Sequence, residues 1–188
     1  MTAKRERIPP GQAVRKDFPV LHIGEIPQFD PAAWKFSVWG DVDHPFDLTW
    51  KQFTELPRKT QQSDFHCVTG WSSLGDEWEG VAADYLVKLC RPRPEAKYVL
   101  VHASGGYTTN LTLEEFLAGD VLFALKFNGR ELEPKHGYPL RLLTPQIYAY
   151  KGAKWVTGFR FSKVEEMGFW ESRGYHSHGD PWKEERYS

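Results

Sequence analysis

The sequence predicts a mixed α+β domain, rich in strands, with short helices and long loops. Three observations carry this. Short runs alternate apolar and polar residues, as in Trp34 to Gly40, the pattern of half-buried strands. Helix signals are few, and each opens a brief segment. Long connections separate the two kinds of element, so loops are expected to build the functional surface.

The elements follow in order. Residues 1 to about 32 carry Pro9, Pro10, Pro19, Pro27 and Pro31 and read as an extended arm. Trp34 to Gly40 is a strand. Thr49 with Gln52 has the form of a capping box, opening a helix that ends near Leu56-Pro57. Asp64 to Val68 reads as a strand leading to Gly70. Val81, Tyr85, Leu86 and Leu89 fit one face of a helix. Tyr98 to Val101 is a β-branched apolar strand. Thr112 with Glu115 is a second capping box, and its helix is expected to stop near Gly119. Val121 to Phe127 is a strand, and Asn128-Gly129 a hairpin turn. Leu140 to Leu143 and Trp155 to Phe161 complete the strands. The tail, about 164–188, is aromatic, charged and His-bearing. Pinning it to the body would keep its rings out of water. No repeat is visible, so the 188 residues are expected to form one domain.

Composition excludes several classes. Hydrophobic residues make up 40% and charged residues 26%, ordinary for a globular chain. The net charge of -1 gives no field to attract nucleic acid or an anionic membrane. No apolar run approaches the roughly 20 residues of a membrane helix. Met1 to Arg7 is charged and no apolar secretory segment follows, so a cytoplasmic location is expected. The two cysteines, Cys67 and Cys90, are then expected as free thiols. Aromatics reach 15%, with eight Trp. Such rings either fill a core or wall a ligand cleft, and the burial habit of Trp favours the core.

Two groups of residues could carry chemistry. Cys67 ends a strand in Phe65-His66-Cys67-Val68-Thr69-Gly70-Trp71-Ser72. A cysteine there can be a nucleophile, a redox thiol or a soft metal ligand, while its commonest role elsewhere is packing. Cys90, at a helix end, fits packing. A zinc site is disfavoured, because His66 and Cys67 are adjacent rather than spaced and Cys90 stands alone. The second group is cationic: His136-Gly137-Tyr138-Pro139-Leu140-Arg141, then Tyr150-Lys151-Gly152-Ala153-Lys154-Trp155. Arg141 between apolar neighbours suggests partial burial, and its planar fork of donors suits phosphate. Gly152 would admit close backbone approach, with neighbouring amides forming an anion nest. The plainer alternative is a solvated basic face.

Taken in order, these pieces resemble a known family. The arm through His22, Trp34 to Gly40, the His66–Ser72 run, Trp78 with Gly80, the His136–Leu142 run and Lys151 to Trp155 resemble the molybdopterin-binding domain of the sulfite oxidase family, closest to short bacterial members without haem or dimerisation domains. The resemblance runs from about Phe18 to Phe161, and the Gly174–Trp182 tail is similar to the same members. It implies a sulfite oxidase-type mixed fold and a molybdenum–molybdopterin cofactor. Cys67 would ligate molybdenum. His136 and Arg141 would bind the pterin, Arg141 at its phosphate. Gly152, Ala153 and Lys154 would form a cofactor-contacting turn, with Phe18, Leu21 and His22 closing over the cofactor. Ser104 would be a further contact, and Tyr107 a catalytic tyrosine beside the metal.

The departures bear on substrate. Sulfite oxidases proper place arginines around the oxyanion, in the arm and soon after the cysteine; the matching positions here hold Val20 and Trp71-Ser72. The resemblance therefore implies two-electron oxygen-atom transfer on a small molecule other than sulfite, with electrons passing to or from an unidentified partner. Periplasmic relatives that reduce protein methionine sulfoxide carry Asn where His136 stands. The tail histidines, His176 and His178, are candidates to orient substrate. Two rival readings stay open: a metal-free thiol enzyme using Cys67 with His66 or His22 as base, and a non-catalytic ligand-binding module. His66 is a poor base for Cys67, since adjacent strand residues point to opposite faces.

Overall fold

The computed structural model describes residues 7–188, so the first six residues of the arm, and with them most of the charged start, lie outside the described residues. Among the described residues, eleven strands and three short α-helices follow one another. They are β1 (Ala13–Val14), β2 (Lys35–Gly40), β3 (Phe46–Thr49), α1 (Trp50–Thr54), β4 (Lys59–Cys67), β5 (Trp71–Ala82) and α2 (Ala83–Cys90), then β6 (Tyr98–Ala103), β7 (Thr108–Thr112), α3 (Leu113–Phe116), β8 (Leu122–Phe127), β9 (Arg130–Glu131), β10 (Arg141–Leu143) and β11 (Val156–Ser162). This is the strand-rich α+β class with short helices.

Two sheets form. One runs β1-β5-β8-β10, with β4 also on β5 and β9 on β8; the other runs β3-β2-β11-β6-β7. They meet through large rings. Phe123 of β8 packs on Phe36 of β2 and Phe159 of β11, with centroids 5.3 and 5.6 Å apart. Strand alternation decides what lies on the far face of the first sheet. Phe123 and Leu125 of β8, and Leu142 of β10, join the inter-sheet core. Their neighbours Leu122, Ala124 and Leu143 join a second cluster with Phe65, Cys67, Trp71 and Trp78. Arg141 falls in register opposite Ala124 and so shares that second face. Gly158 is required where β11 bulges: its φ is +150°, and a Cβ there would sit 2.1 Å from the Ser37 carbonyl oxygen.

Both capping boxes form, on Thr49–Gln52 and Thr112–Glu115. Each helix is shorter than its caps suggested, ending at Thr54 and Phe116. The helix predicted from Val81 differs more. Val81 lies in β5, Leu89 is exposed, and α2 buries Ala83, Leu86, Val87 and Cys90, the i, i+3, i+4, i+7 stripe of a helix that starts at 83. Cys90 is a packed thiol whose S–H donates to the Val87 carbonyl, and burial pushes its pKa up to about 11.

The tail is held to the body by a buried ion pair. Lys151 Nζ donates to Glu171 Oε1 at 2.7 Å, to Asn110 Oδ1 at 2.9 Å and to the Ser177 carbonyl at 2.5 Å, so all three ammonium protons are used. Glu171 Oε1 also accepts from Thr109 Oγ1. Further along, Tyr148 donates its amide to the Gly179 carbonyl and Arg186 reaches the Val68 carbonyl. Lys151→Met strands a carboxylate in this site. It should cost roughly 3–5 kcal/mol, lowering Tm by roughly 6–20 °C for a chain of this size. Thermal unfolding by circular dichroism checks this, and a shift within a degree would show the pair to be dispensable.

Candidate functional site

A cavity of about 540 Å³ opens on the second face of the first sheet. Cys67, at the last position of β4, contributes to its wall, because the hairpin to β5 turns immediately after it. Phe65 and Cys67 share a face two residues apart, while His66 points away. His66 Nδ1 lies 2.8 Å from Ser72 Oγ, and its ring meets Trp182 edge-on. Cys67 Sγ lies 3.1 Å from Thr69 Oγ1 and is hydrogen-bonded to no histidine. Among the described residues no three or more His, Cys, Asp or Glu converge as metal ligands. A metal at Cys67 would have to bring other ligands with it.

Arg141 reaches the same cavity from β10 and is only 3% exposed, deeper than its sequence suggested. Its guanidinium lies 5.0 Å from the Phe65 ring centre, 5.5 Å from Phe18 and 5.9 Å from Trp78. One nitrogen donates to the His136 carbonyl at 3.1 Å; Nε has no partner, and among the described residues Arg141 forms no ion pair. Burial lowers its pKa to about 10, while Cys67 and Tyr107 oppose the shift, so it stays cationic at neutral pH. A buried charge in this state calls for an anion.

Lys154 stands beside it through the Arg141–Lys154 bridge. Its ammonium donates to the carbonyls of Leu21 and Lys135, both at 2.8 Å. Burial first, and Arg141 second, lower its pKa to about 7. The turn before it behaves differently from expectation. The Gly152 amide donates to the Ala149 carbonyl and the Ala153 amide to the Lys151 carbonyl, so these amides close the turn and offer no free nest. Gly152 is small because a Cβ would lie 2.8 Å from the Leu142 carbonyl oxygen. Both residues still line the cavity.

The arm covers one side. Phe18 is wedged against Phe65, Trp71 and Phe127, with centroids 4.7, 5.4 and 5.2 Å away. Leu21 and His22 line the cavity, and His22 meets Trp155 edge-on at 5.6 Å. His136 sits behind this layer rather than in the wall. Its Nε2–H donates to the Phe18 carbonyl at 3.2 Å, its own carbonyl holds Arg141, and burial lowers its pKa. Ser104 and Tyr107 complete the opposite wall. The Tyr107 hydroxyl donates to the Tyr150 carbonyl at 2.5 Å, and burial raises its pKa, keeping the phenol neutral.

The tail also enters the cavity, by residues the sequence reading had not singled out. Phe169, Trp170 and Tyr175 line it, whereas His176 and His178 do not. His176 Nδ1 accepts from the amides of His178 and Gly179, and His178 reaches Glu115. The signal available in sequence was the density of rings in the tail.

A family model described as the oxidoreductase molybdopterin binding domain matches residues 23–170, a span that contains Cys67, Arg141 and Lys154. The chain belongs to this family. An uncharacterized oxidoreductase, YuiH, of Bacillus subtilis is 45% identical over 97% of the chain and 92% of its own length. The protein-methionine-sulfoxide reductase catalytic subunit of Campylobacter jejuni is 26% identical over 77% of the chain, which spans only 54% of that protein. The sulfane dehydrogenase SoxCD of Paracoccus pantotrophus shares the fold, with a TM-score of 0.68 at 19% identity, covering 79% of this chain and 42% of that one. The cofactor of the family is molybdenum–molybdopterin. The residues present fit it: the pterin dithiolene would supply the ligands that a lone Cys67 lacks, and a phosphate would supply the anion that Arg141 lacks.

Two outcomes follow for the cofactor-free protein. Arg141→Met removes an uncompensated buried charge, so stability should hold or rise by on the order of 1 kcal/mol, measured by urea titration. A loss of several kcal/mol would mean that Arg141 has a structural partner. Lys154 has a folded pKa near 7 against 10.5 when free. The unfolded chain therefore binds more protons between these values, and Lys154 makes stability rise with pH across that window. Lys154→Gln should flatten the rise relative to wild type in melts from pH 6.5 to 10; parallel curves would refute the assignment.

Proposed function

We propose that the chain is a molybdenum-dependent oxidoreductase that transfers an oxygen atom, with two electrons, to or from a small substrate other than sulfite. The observation that carries this reading is Arg141: a buried cation without a counter-ion among the described residues, lining one cavity with Cys67 and Lys154. When bound, the cofactor supplies two-electron redox chemistry at molybdenum.

The chain's own residues do the rest. Cys67 anchors the metal as a thiolate, for which soft sulfur is suited. Arg141 and Lys154 hold the pterin phosphate, whose charge of about -1.5 to -2 would draw Lys154 to its protonated form beside the guanidinium. His136 acts from behind, orienting Arg141 and the Phe18 segment together. Phe18, Leu21 and His22 close over the cofactor and exclude water. Gly152, Ala153 and Ser104 shape its bed. Tyr107 ties down the Tyr150 turn and offers substrate a neutral phenol in the wall shared with Cys67. The positions that would surround an oxyanion with arginine hold Val20, Trp71 and Ser72, which argues against sulfite. The name of the Campylobacter relative, a sulfoxide reductase, supports oxygen-atom transfer.

Electrons would pass to or from a separate partner. The two free cysteines suit a reducing compartment, and the cytoplasm is part of this reading. No helix among the described residues is long and apolar enough to cross a membrane. The thiol-enzyme alternative finds no support at Cys67: His66 is turned to Ser72, His22 is engaged by the Gly24 carbonyl and the Trp155 ring, and among the described residues neither is hydrogen-bonded to the thiol.

The test is expression in a host that makes the cofactor, followed by metal analysis and pterin fluorescence. Near-stoichiometric molybdenum and pterin are expected. Cys67→Ser should lose bound molybdenum and at least a hundredfold in turnover while remaining folded. Arg141→Met should lose pterin. No molybdenum and no pterin, from a host that loads a control enzyme, would sink the reading, as would full activity in Cys67→Ser.

A further inference from the structure

The cavity has two chemically different sides. The charged side chains that line it are Arg141, Lys154 and Glu25. The proposed reading assigns both cations to the cofactor phosphate, which leaves no positive charge for an anionic substrate. The tail residues that line it carry no charge: Phe169, Trp170 and Tyr175 present rings, and the Arg173 guanidinium stacked on Phe169 at 3.6 Å is not among the lining residues. These rings form a continuous, mutually braced series. Tyr107 to Phe169 is 5.6 Å between centroids, Phe169 to Trp170 5.3 Å, Trp170 to Tyr175 4.8 Å, and Tyr175 to Tyr150 5.1 Å.

The wall is rigid for reasons already visible. Glu171, next to Trp170, is locked to Lys151, which precedes the Gly152–Lys154 turn. The Phe169 amide donates to the Thr108 carbonyl and the Tyr175 amide to the Trp170 carbonyl. Gly168 cannot be enlarged, since a Cβ would lie 2.6 Å from Thr109 Cα. Burial, and then Tyr187, raise the pKa of Tyr175, so it stays a neutral phenol. The family match ends at residue 170, in the middle of this wall, so Tyr175 lies beyond the matched domain.

We propose that the Phe169–Tyr175 segment is the substrate-selecting wall of the site, favouring an uncharged organic oxide with a flat apolar substituent over an oxyanion. This rests on the molybdenum reading above. The flat substituent stacks among Trp170, Tyr175 and Phe169, burying apolar area against rings already in place, so little ordering is required. An oxyanion entering the same space loses its water without gaining a cation. For a sulfoxide the reaction balances as follows. The S–O bond breaks, sulfur is reduced by two electrons, and the oxygen leaves as water after taking two protons. The electrons come from two equivalents of a one-electron donor, a reduced viologen dye in the assay.

The test uses full-length protein shown to carry molybdenum and pterin. Rates are measured with reduced methyl viologen on phenyl methyl sulfoxide, dimethyl sulfoxide and nitrate, and binding of phenyl methyl sulfone, a non-reacting mimic, by calorimetry. Wild type should prefer the phenyl to the dimethyl sulfoxide by about tenfold or more in kcat/KM, with nitrate poorest. Trp170→Ala should cut the phenyl-to-dimethyl ratio at least about fivefold, chiefly through KM, and weaken sulfone binding in parallel. Trp170→Phe should restore both, which separates a ring in the pocket from a fold defect. Tyr175→Leu gives a second variant should Trp170→Ala melt early. A loaded wild type that shows no preference, or does not bind the sulfone, overturns the proposal, as does an unchanged ratio in correctly loaded Trp170→Ala and Tyr175→Leu. Protein that never loads molybdenum or pterin would instead overturn the parent reading, and this one with it.

Discussion

A guanidinium buried beneath aromatic rings, with no carboxylate to meet it, is the constraint around which this molecule is arranged. Arg141 occupies a strand position that alternation turns away from the inter-sheet core, onto the face bearing Cys67. Leu140 and Leu142 on either side are fully buried in the other direction, so the side chain cannot swing to water without unpacking β10. The rings of Phe65, Phe18 and Trp78 give its positive charge some compensation, since cation–π contacts recover part of what desolvation costs. Part is all they recover: Nε is left without a partner.

The contrast with Lys151 shows what kind of site this is. Both cations are buried, and they lie on neighbouring stretches of chain. Lys151 meets a carboxylate, an amide oxygen and a carbonyl, and is finished as a structural element. Arg141 is left incomplete within the protein, and so is Lys154, whose two carbonyl acceptors carry no full charge. Selection for stability alone would have paired or removed such charges, because an uncompensated buried ion is among the costliest features a fold can hold. Keeping both beside a thiol makes sense when a polyanionic ligand completes the set. In that view the cofactor is part of the core, and the arm packed by Phe18 is its cover.

How much of this was legible in the sequence depends on whether the physics is local. Capping boxes at Thr49 and Thr112 and the Asn128-Gly129 turn are local chemistry, and all three formed where the residues placed them. Cys67 at a strand end was legible for the same reason. The twelve-residue β5 was not, because Ser72, Asp76, Glu77 and Glu79 interrupt any apolar rhythm; the strand is held by β4 on one side and by β1 and β8 on the other. The helix at α2 was misphased, since Val81 is just as apolar in a strand as on a helix face. Lys151 read as part of a cationic cluster rather than as half of an ion pair, because its partner Glu171 lies twenty positions away in an irregular tail. The anion nest expected at Gly152 failed on hydrogen-bond accounting, which needs to know where each amide donates.

The same ion pair has a consequence for how the site could diversify. It joins the turn that leads into Lys154 to the segment that carries Phe169, Trp170 and Tyr175, so the proposed cofactor bed and the proposed substrate wall are fixed to one another. Glu171 itself is buried and constrained, while Trp170 and Tyr175 beside it are only partly buried and face the cavity. Substitutions at the rings can therefore alter what the pocket accepts without loosening the anchor, whereas substitutions at the anchor should disturb both functions together. On the proposed reading, a scaffold built this way separates the chemistry assigned to Cys67, Arg141 and Lys154 from a surface that is free to change. Relatives of one family can then share a cofactor while differing in substrate.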